Sequence, residues 1–114
     1  MMEELFTVAE GEMRNLNHPY VGTEHFMLAY LKVYGNKYIS YDKFLEYVKK
    51  IIGSSYKKSE YILYTPMLRK IRNECKNYIE ACVRILTDED SIAYNILLSS
   101  GEDIEKIYLD VIGR

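Results

Sequence analysis

Apolar residues in this chain recur at three- and four-residue steps, the period of a helix with one buried face, and strand-like alternation is scarce. The longest series is Met67, Leu68, Ile71, Cys75, Tyr78, Ile79, Cys82, Val83 and Leu86. Thr65-Pro66 opens it with a capping residue and a first-turn proline, and no Gly or Pro interrupts it. The spacing predicts one helix of about twenty residues there. Earlier, Thr7 and Glu10 stand three apart, as a capping box requires, ahead of Val8, Ala9, Met13 and Leu16. Thr23 reads as the N-cap of a second helix that stops at Gly35-Asn36. A third helix is predicted over residues 41–52, with Phe44, Leu45, Val48, Ile51 and Ile52 on one face and Gly53 as its stop. Residues 54–63 break the pattern and read as a connector, with a short extended stretch at 61–64. Thr87 and the acidic residues after it read as the start of a helix through Leu98, broken by Gly101, and a last helix covers residues 102–112. The expectation is an all-α fold of five to seven helices.

Size and composition narrow the class. The 114 residues form one domain, long enough to bury a core without disulfides or metals. Net charge is −2, which gives no global electrostatic case for nucleic acid or an anionic membrane. No apolar run is long enough for a membrane span, and Met1-Met2-Glu3-Glu4 is acidic where a signal peptide is basic, so the expected compartment is the cytoplasm. Cys75 and Cys82, seven apart on one predicted helix, would lie roughly 10 Å apart along its axis, too far for a disulfide, and are expected as buried thiols. Twelve tyrosines and no tryptophan leave two readings open: half-buried helix faces, or a recognition surface.

The most specific motif is His18-Pro19-Tyr20-Val21-Gly22-Thr23-Glu24-His25, followed by Phe26, Met27 and Leu28. With Leu16-Asn17 before it, the segment resembles the signature of the Clp chaperone N-terminal domain. Tyr64-Thr65-Pro66 and the segment Ile92-Ala93-Tyr94-Asn95-Ile96-Leu97 with Ser100-Gly101-Glu102-Asp103-Ile104 are similar to later parts of the same family. A faint internal repeat accompanies the resemblance: Phe6-Thr7 recurs as Tyr64-Thr65, and Ile51-Ile52-Gly53 as Val111-Ile112-Gly113. The resemblance implies two pseudo-twofold helical repeats, about residues 1–53 and 64–114. The chain departs from the family in three ways. The second repeat has Asn77-Tyr78-Ile79-Glu80-Ala81 in place of a Gly-Thr-Glu-His turn, the first is shortened between Lys32 and Tyr41, and no phosphate-loop motif occurs in the sequence.

The resemblance also implies a function. It points to a non-enzymatic module that recognises substrate segments, arginine-phosphorylated ones included, or degrons or adaptors, for a Clp-type AAA+ unfoldase and its protease. Glu24 with Thr23 carries over from the family's turn; Phe6 and Thr7 are expected nearby, and Glu80 is the displaced counterpart in the second repeat. No cofactor, metal or nucleic acid is expected. The chain offers two histidines, His18 and His25, neither near a cysteine and too few for a three-ligand zinc site; they are expected to bond the turn between the first two helices. Lys49, Lys50, Lys57, Lys58, Arg69, Lys70 and Arg72 gather around the connector, but seventeen acidic residues offset them. The alternative function is a free-standing helical scaffold or regulator that docks a partner or oligomerises without substrate binding.

Overall fold

A computed structural model describes residues 2–54 and 60–113. The middle of the predicted connector, with Tyr56, Lys57 and Lys58, lies outside these residues. Seven helices run through the described residues: α1 (Met2–Asn15), α2 (Thr23–Val33), α3 (Tyr41–Ile51), α4 (Pro66–Glu74), α5 (Tyr78–Thr87), α6 (Ile92–Ser99) and α7 (Ile104–Ile112). The fold is all-α. No helix among them is long and apolar enough to cross a membrane.

The centre is α2, where every residue from Thr23 to Leu31 is buried. A helix apolar on all sides must be surrounded, and α1, α3, α5 and α6 all pack on it. Around α2 the outer helices each bury one stripe: Leu5, Phe6, Ala9 and Met13 from α1, Phe44 and Val48 from α3, Leu68 and Ile71 from α4, Ile107 and Val111 from α7. Helix α5 contributes Ala81, Cys82, Ile85 and Leu86 and joins α2 to α4, α6 and α7.

The predicted twenty-residue helix is two helices. The chain turns extended at Cys75, and the Asn77 side chain accepts from the N–H of Glu80 at 2.9 Å to start α5. Asn competes for backbone donors and favours a cap over a helix interior, and here that preference outweighs the unbroken apolar period. Both cysteines are nonetheless buried thiols, and burial pushes each thiol up from its ordinary range.

Two more predicted caps fall elsewhere. Thr7 lies inside α1, where its hydroxyl donates back to the carbonyl of Glu3 at 3.2 Å. Thr87 is the last residue of α5, and α6 is capped instead by Ser91, which accepts from Tyr94 N–H. The two ends of the internal repeat therefore differ: Phe6-Thr7 is mid-helix, whereas Thr65 caps α4, yet Ile51 and Ile112 do both close helices before a glycine.

The tyrosines hold helices together. Tyr41 and Tyr64 donate to Glu12 and Glu10 of α1, and Tyr47 of α3 donates to Glu102 just before α7. Tyr34 and Tyr78 stack with ring centroids 4.0 Å apart.

Candidate functional site

The site forms where the turn after α1 meets the start of α2. Helix α1 ends through Asn17, whose φ of 55° lies in the left-handed region that Asn tolerates, and His18 N–H closes the end on the carbonyl of Met13. The chain then runs extended to Val21, which pairs with the start of α4: its N–H donates to Leu63 O at 2.7 Å and its carbonyl accepts from Thr65 N–H at 2.9 Å. Of the extended stretch predicted over residues 61–64, Tyr64 alone forms a bridge, the parallel one with Val21, and the stretch forms no strand. The bridge pins the turn against α4.

Gly22, not Thr23, is the N-cap of α2. Having no side chain, Gly22 returns no bond to the first helical turn. His25 supplies the reverse half of a capping box: Gly22 N–H donates to His25 Nδ1 at 2.8 Å. That bond occupies the Nδ1 lone pair, so the ring proton sits on Nε2. From there it is shared with His18 Nδ1 at 2.8 Å, and His18 Nε2–H donates to the carbonyl of Gly53 at 2.6 Å, just past α3. A directed chain of bonds thus runs from the cap of α2 through two imidazoles to the end of α3. Burial first, and His18 beside it second, lower the pKa of His25 to about 3.

Glu24 lies next to this chain. Its side chain is 6% exposed and Oε1 has no hydrogen-bond partner. Burial raises its pKa to about 7, opposed only in part by the backbone N–H groups of Glu24 and His25. The 3.6 Å approach of Oε1 to His25 Nδ1 is no ion pair, because that nitrogen is an acceptor. Gly22 makes room for the carboxyl: a Cβ there would lie 2.1 Å from Oε1.

A pocket of about 210 Å³ is lined by His18, Pro19, Tyr20, Glu24, His25, Ile52, Thr65 and Ile92. Of the residues expected at the site, only Glu24 lines it. Phe6 is buried in the core, its ring 5.1 Å from Phe26 and 6.0 Å from Tyr64, beneath the Arg72 guanidinium. Thr7 is exposed on α1. Glu80 is exposed at the third helical position of α5, the register of His25 in α2, while Ile79 takes the register of Glu24. Tyr20, Ile52 and Ile92 were legible as apolar positions but not as neighbours, since they come from three separate elements.

Thr23 is buried and serves a different helix. Its Oγ1 accepts from Ala93 N–H at 3.1 Å and from the Ser91 hydroxyl at 3.3 Å, so it helps cap α6. Thr23→Val keeps the shape but strands the buried Ala93 N–H, and is expected to cost about 1–3 kcal/mol. Thr23→Ser should recover most of that loss. Thermal denaturation of the two variants checks the order.

His18, Glu24 and His25 could be taken for a metal site, with one candidate atom from each lying within 4.8 Å of the others. The hydrogen bonds argue against it. All four imidazole nitrogens are engaged, and the shared pair stands 2.8 Å apart, closer than the roughly 3.3 Å between two nitrogens around a tetrahedral zinc ion. An ion between the rings would have to break the bond that joins His18 to His25.

No protein-family model matches this sequence, and no curated protein matches it.

Proposed function

We propose that this domain is a non-enzymatic protein-recognition module, and that it presents substrate segments, degrons or adaptors to a Clp-type AAA+ unfoldase. One observation carries the reading. A buried carboxyl, Glu24, lines a small pocket with apolar walls and has one oxygen without a hydrogen-bond partner. Leaving a buried polar group unpaired is costly, and an uncompensated cost of this kind beside a pocket supports a binding role. The Gly22-Thr23-Glu24-His25 turn that places it is also the segment resembling the Clp N-terminal domain.

The test is calorimetric titration of the folded chain with a permanently unfolded protein, reduced and carboxamidomethylated lactalbumin. Glu24→Ala is expected to weaken binding at least tenfold while helical circular dichroism stays unchanged. Equal affinity of the two chains removes Glu24 from the site. The scaffold reading has its own support in Leu98, Leu109 and Ile112, large apolar side chains left exposed on α6 and α7. It predicts a concentration-dependent sedimentation coefficient that Glu24→Ala does not alter.

A further inference from the structure

We infer that a second copy of this chain pairs, backbone to backbone, with the segment Ile62-Leu63-Tyr64, and that the domain forms a weak twofold dimer there. The parallel bridge to Val21 sets which groups are open. It uses Leu63 O and Thr65 N–H, on one edge of the segment. The chain runs through Ile62 and Leu63 without turn or bend, and along such a chain the backbone polar groups point to alternate edges. Those of Ile62 and Tyr64 therefore face away from Val21. Among the described residues, the N–H and carbonyl of Ile62 and the N–H of Tyr64 have no backbone partner. The Tyr64 carbonyl accepts from the Arg69 guanidinium at 3.3 Å, which leaves its second lone pair. An open edge of this kind is a template for another chain.

The side chains along it are apolar and outward. Tyr61 is 69% exposed and Leu63 47%, and Ile62 between them is exposed as well. Aromatic and β-branched residues suit a paired, pleated surface.

Charge selects a second copy as the occupant. Glu60, exposed, precedes the edge, and the exposed Arg69 guanidinium lies at its other end, on Tyr64 O. Antiparallel pairing about a twofold axis brings the Glu60 end of each copy to the Arg69 end of the other, so opposite charges meet at both ends. A parallel arrangement would set like charges together. With the axis at Leu63, Ile62 of each copy exchanges N–H and carbonyl with Tyr64 of the other, which uses every open group. Leu63 then meets its own twin at the closely spaced position, where Cα atoms stand about 4.5 Å apart. A contact of this isologous kind closes at two chains. So few residues a side fall far short of the roughly 20–30 of a standard interface, and the dimer is reversible. Pairing here is independent of what the Glu24 pocket takes.

The experiment is sedimentation equilibrium of the full chain from about 10 μM to about 1 mM. The wild-type chain is expected to follow a reversible monomer–dimer equilibrium. Ile62→Pro removes the open N–H from each copy and should raise the dissociation constant about tenfold or more. Leu63→Asp sets two carboxylates against each other on the axis and should do the same, with helical circular dichroism unchanged. Leu109→Ser, on the exposed face of α7, should leave the constant as it is. Leu63→Cys should give a covalent dimer when diamide oxidises the paired thiols, since Cα atoms about 4.5 Å apart lie within disulfide reach. The wild-type chain, whose Cys75 and Cys82 are buried, should give none. If Ile62→Pro does not fold, Leu63→Asp and the cross-link decide the question. A chain that stays monomeric throughout overturns the inference, and so does a dimer that Leu109→Ser dissociates and the two edge variants do not. A monomer whose Ile62 and Tyr64 amide resonances shift with an added extended peptide overturns it too, because the edge then takes a foreign segment.

Discussion

Replacing His25 with alanine should destabilise the domain by about 3–5 kcal/mol, a large share of the roughly 5–15 kcal/mol that holds a domain folded. The substitution removes an acceptor from Gly22 N–H and a donor from His18 Nδ1, both at 2.8 Å. Each buried group left unpaired costs about 1–3 kcal/mol, and the lost ring leaves a cavity beside His18, whose ring centroid lies 5.0 Å away. The melting temperature should fall by roughly 10–20 °C. Two conservative variants separate the contributions. Asparagine places an amide oxygen near the position of Nδ1 and should keep the bond from Gly22; glutamine reaches the position of Nε2 and should keep the donor to His18. Each is expected to recover part of the loss. A drop of under 1 kcal/mol for His25→Ala would mean that water replaces the imidazole and that the bonded chain does not hold the turn.

This pair of histidines also marks how far the sequence carries. That His18 and His25 bond the turn between α1 and α2 was legible from their spacing across Pro19 and Gly22. Their link to Gly53, thirty-five residues from His18, was not, because nothing local to α3 encodes a partner for its last carbonyls. The helices themselves were legible because their apolar stripes are strong, and the centrality of α2 follows from residues Phe26 to Leu31, which leave no polar face. The errors came where a polar side chain had two possible uses. Thr7 and Glu10 have the spacing of a capping box, but Met2 to Phe6 extend the helix ahead of them and Thr7 turns back to Glu3. Asn77 interrupts an apolar series that shows no other break. Thr23 looks local and acts at long range, on α6. In the site, Glu24 was identified from its motif. Its environment depends on Ile52, Thr65 and Ile92, brought together by tertiary packing.

The same environment sets a second large effect, on stability against pH. In the fold, Glu24 has a pKa of about 7, against 4.5 in the unfolded chain. Between those values the folded state holds a proton that the unfolded state has released, so the contribution of Glu24 to stability is full below pH 4.5 and is lost as pH rises through 7. His25 acts oppositely. Its pKa of about 3 in the fold, against 6.5 unfolded, means that the unfolded chain takes up a proton the fold refuses, and stability is lost as pH falls below 6.5. From pH 4.5 to 6.5 the two slopes, each about 1.4 kcal/mol per pH unit, nearly cancel. Glu24→Gln removes one of them. Relative to the variant, the wild-type chain is expected to lose about 3 kcal/mol between pH 4.5 and 8, as measured by urea denaturation at half-unit steps. Other carboxylates titrate alike in both chains and drop out of the difference. Parallel curves would show that solvent reaches the Glu24 carboxyl and that it ionises as an ordinary surface acid. A difference of the expected sign would establish that the unpaired carboxyl is carried by the fold at a cost that grows with pH.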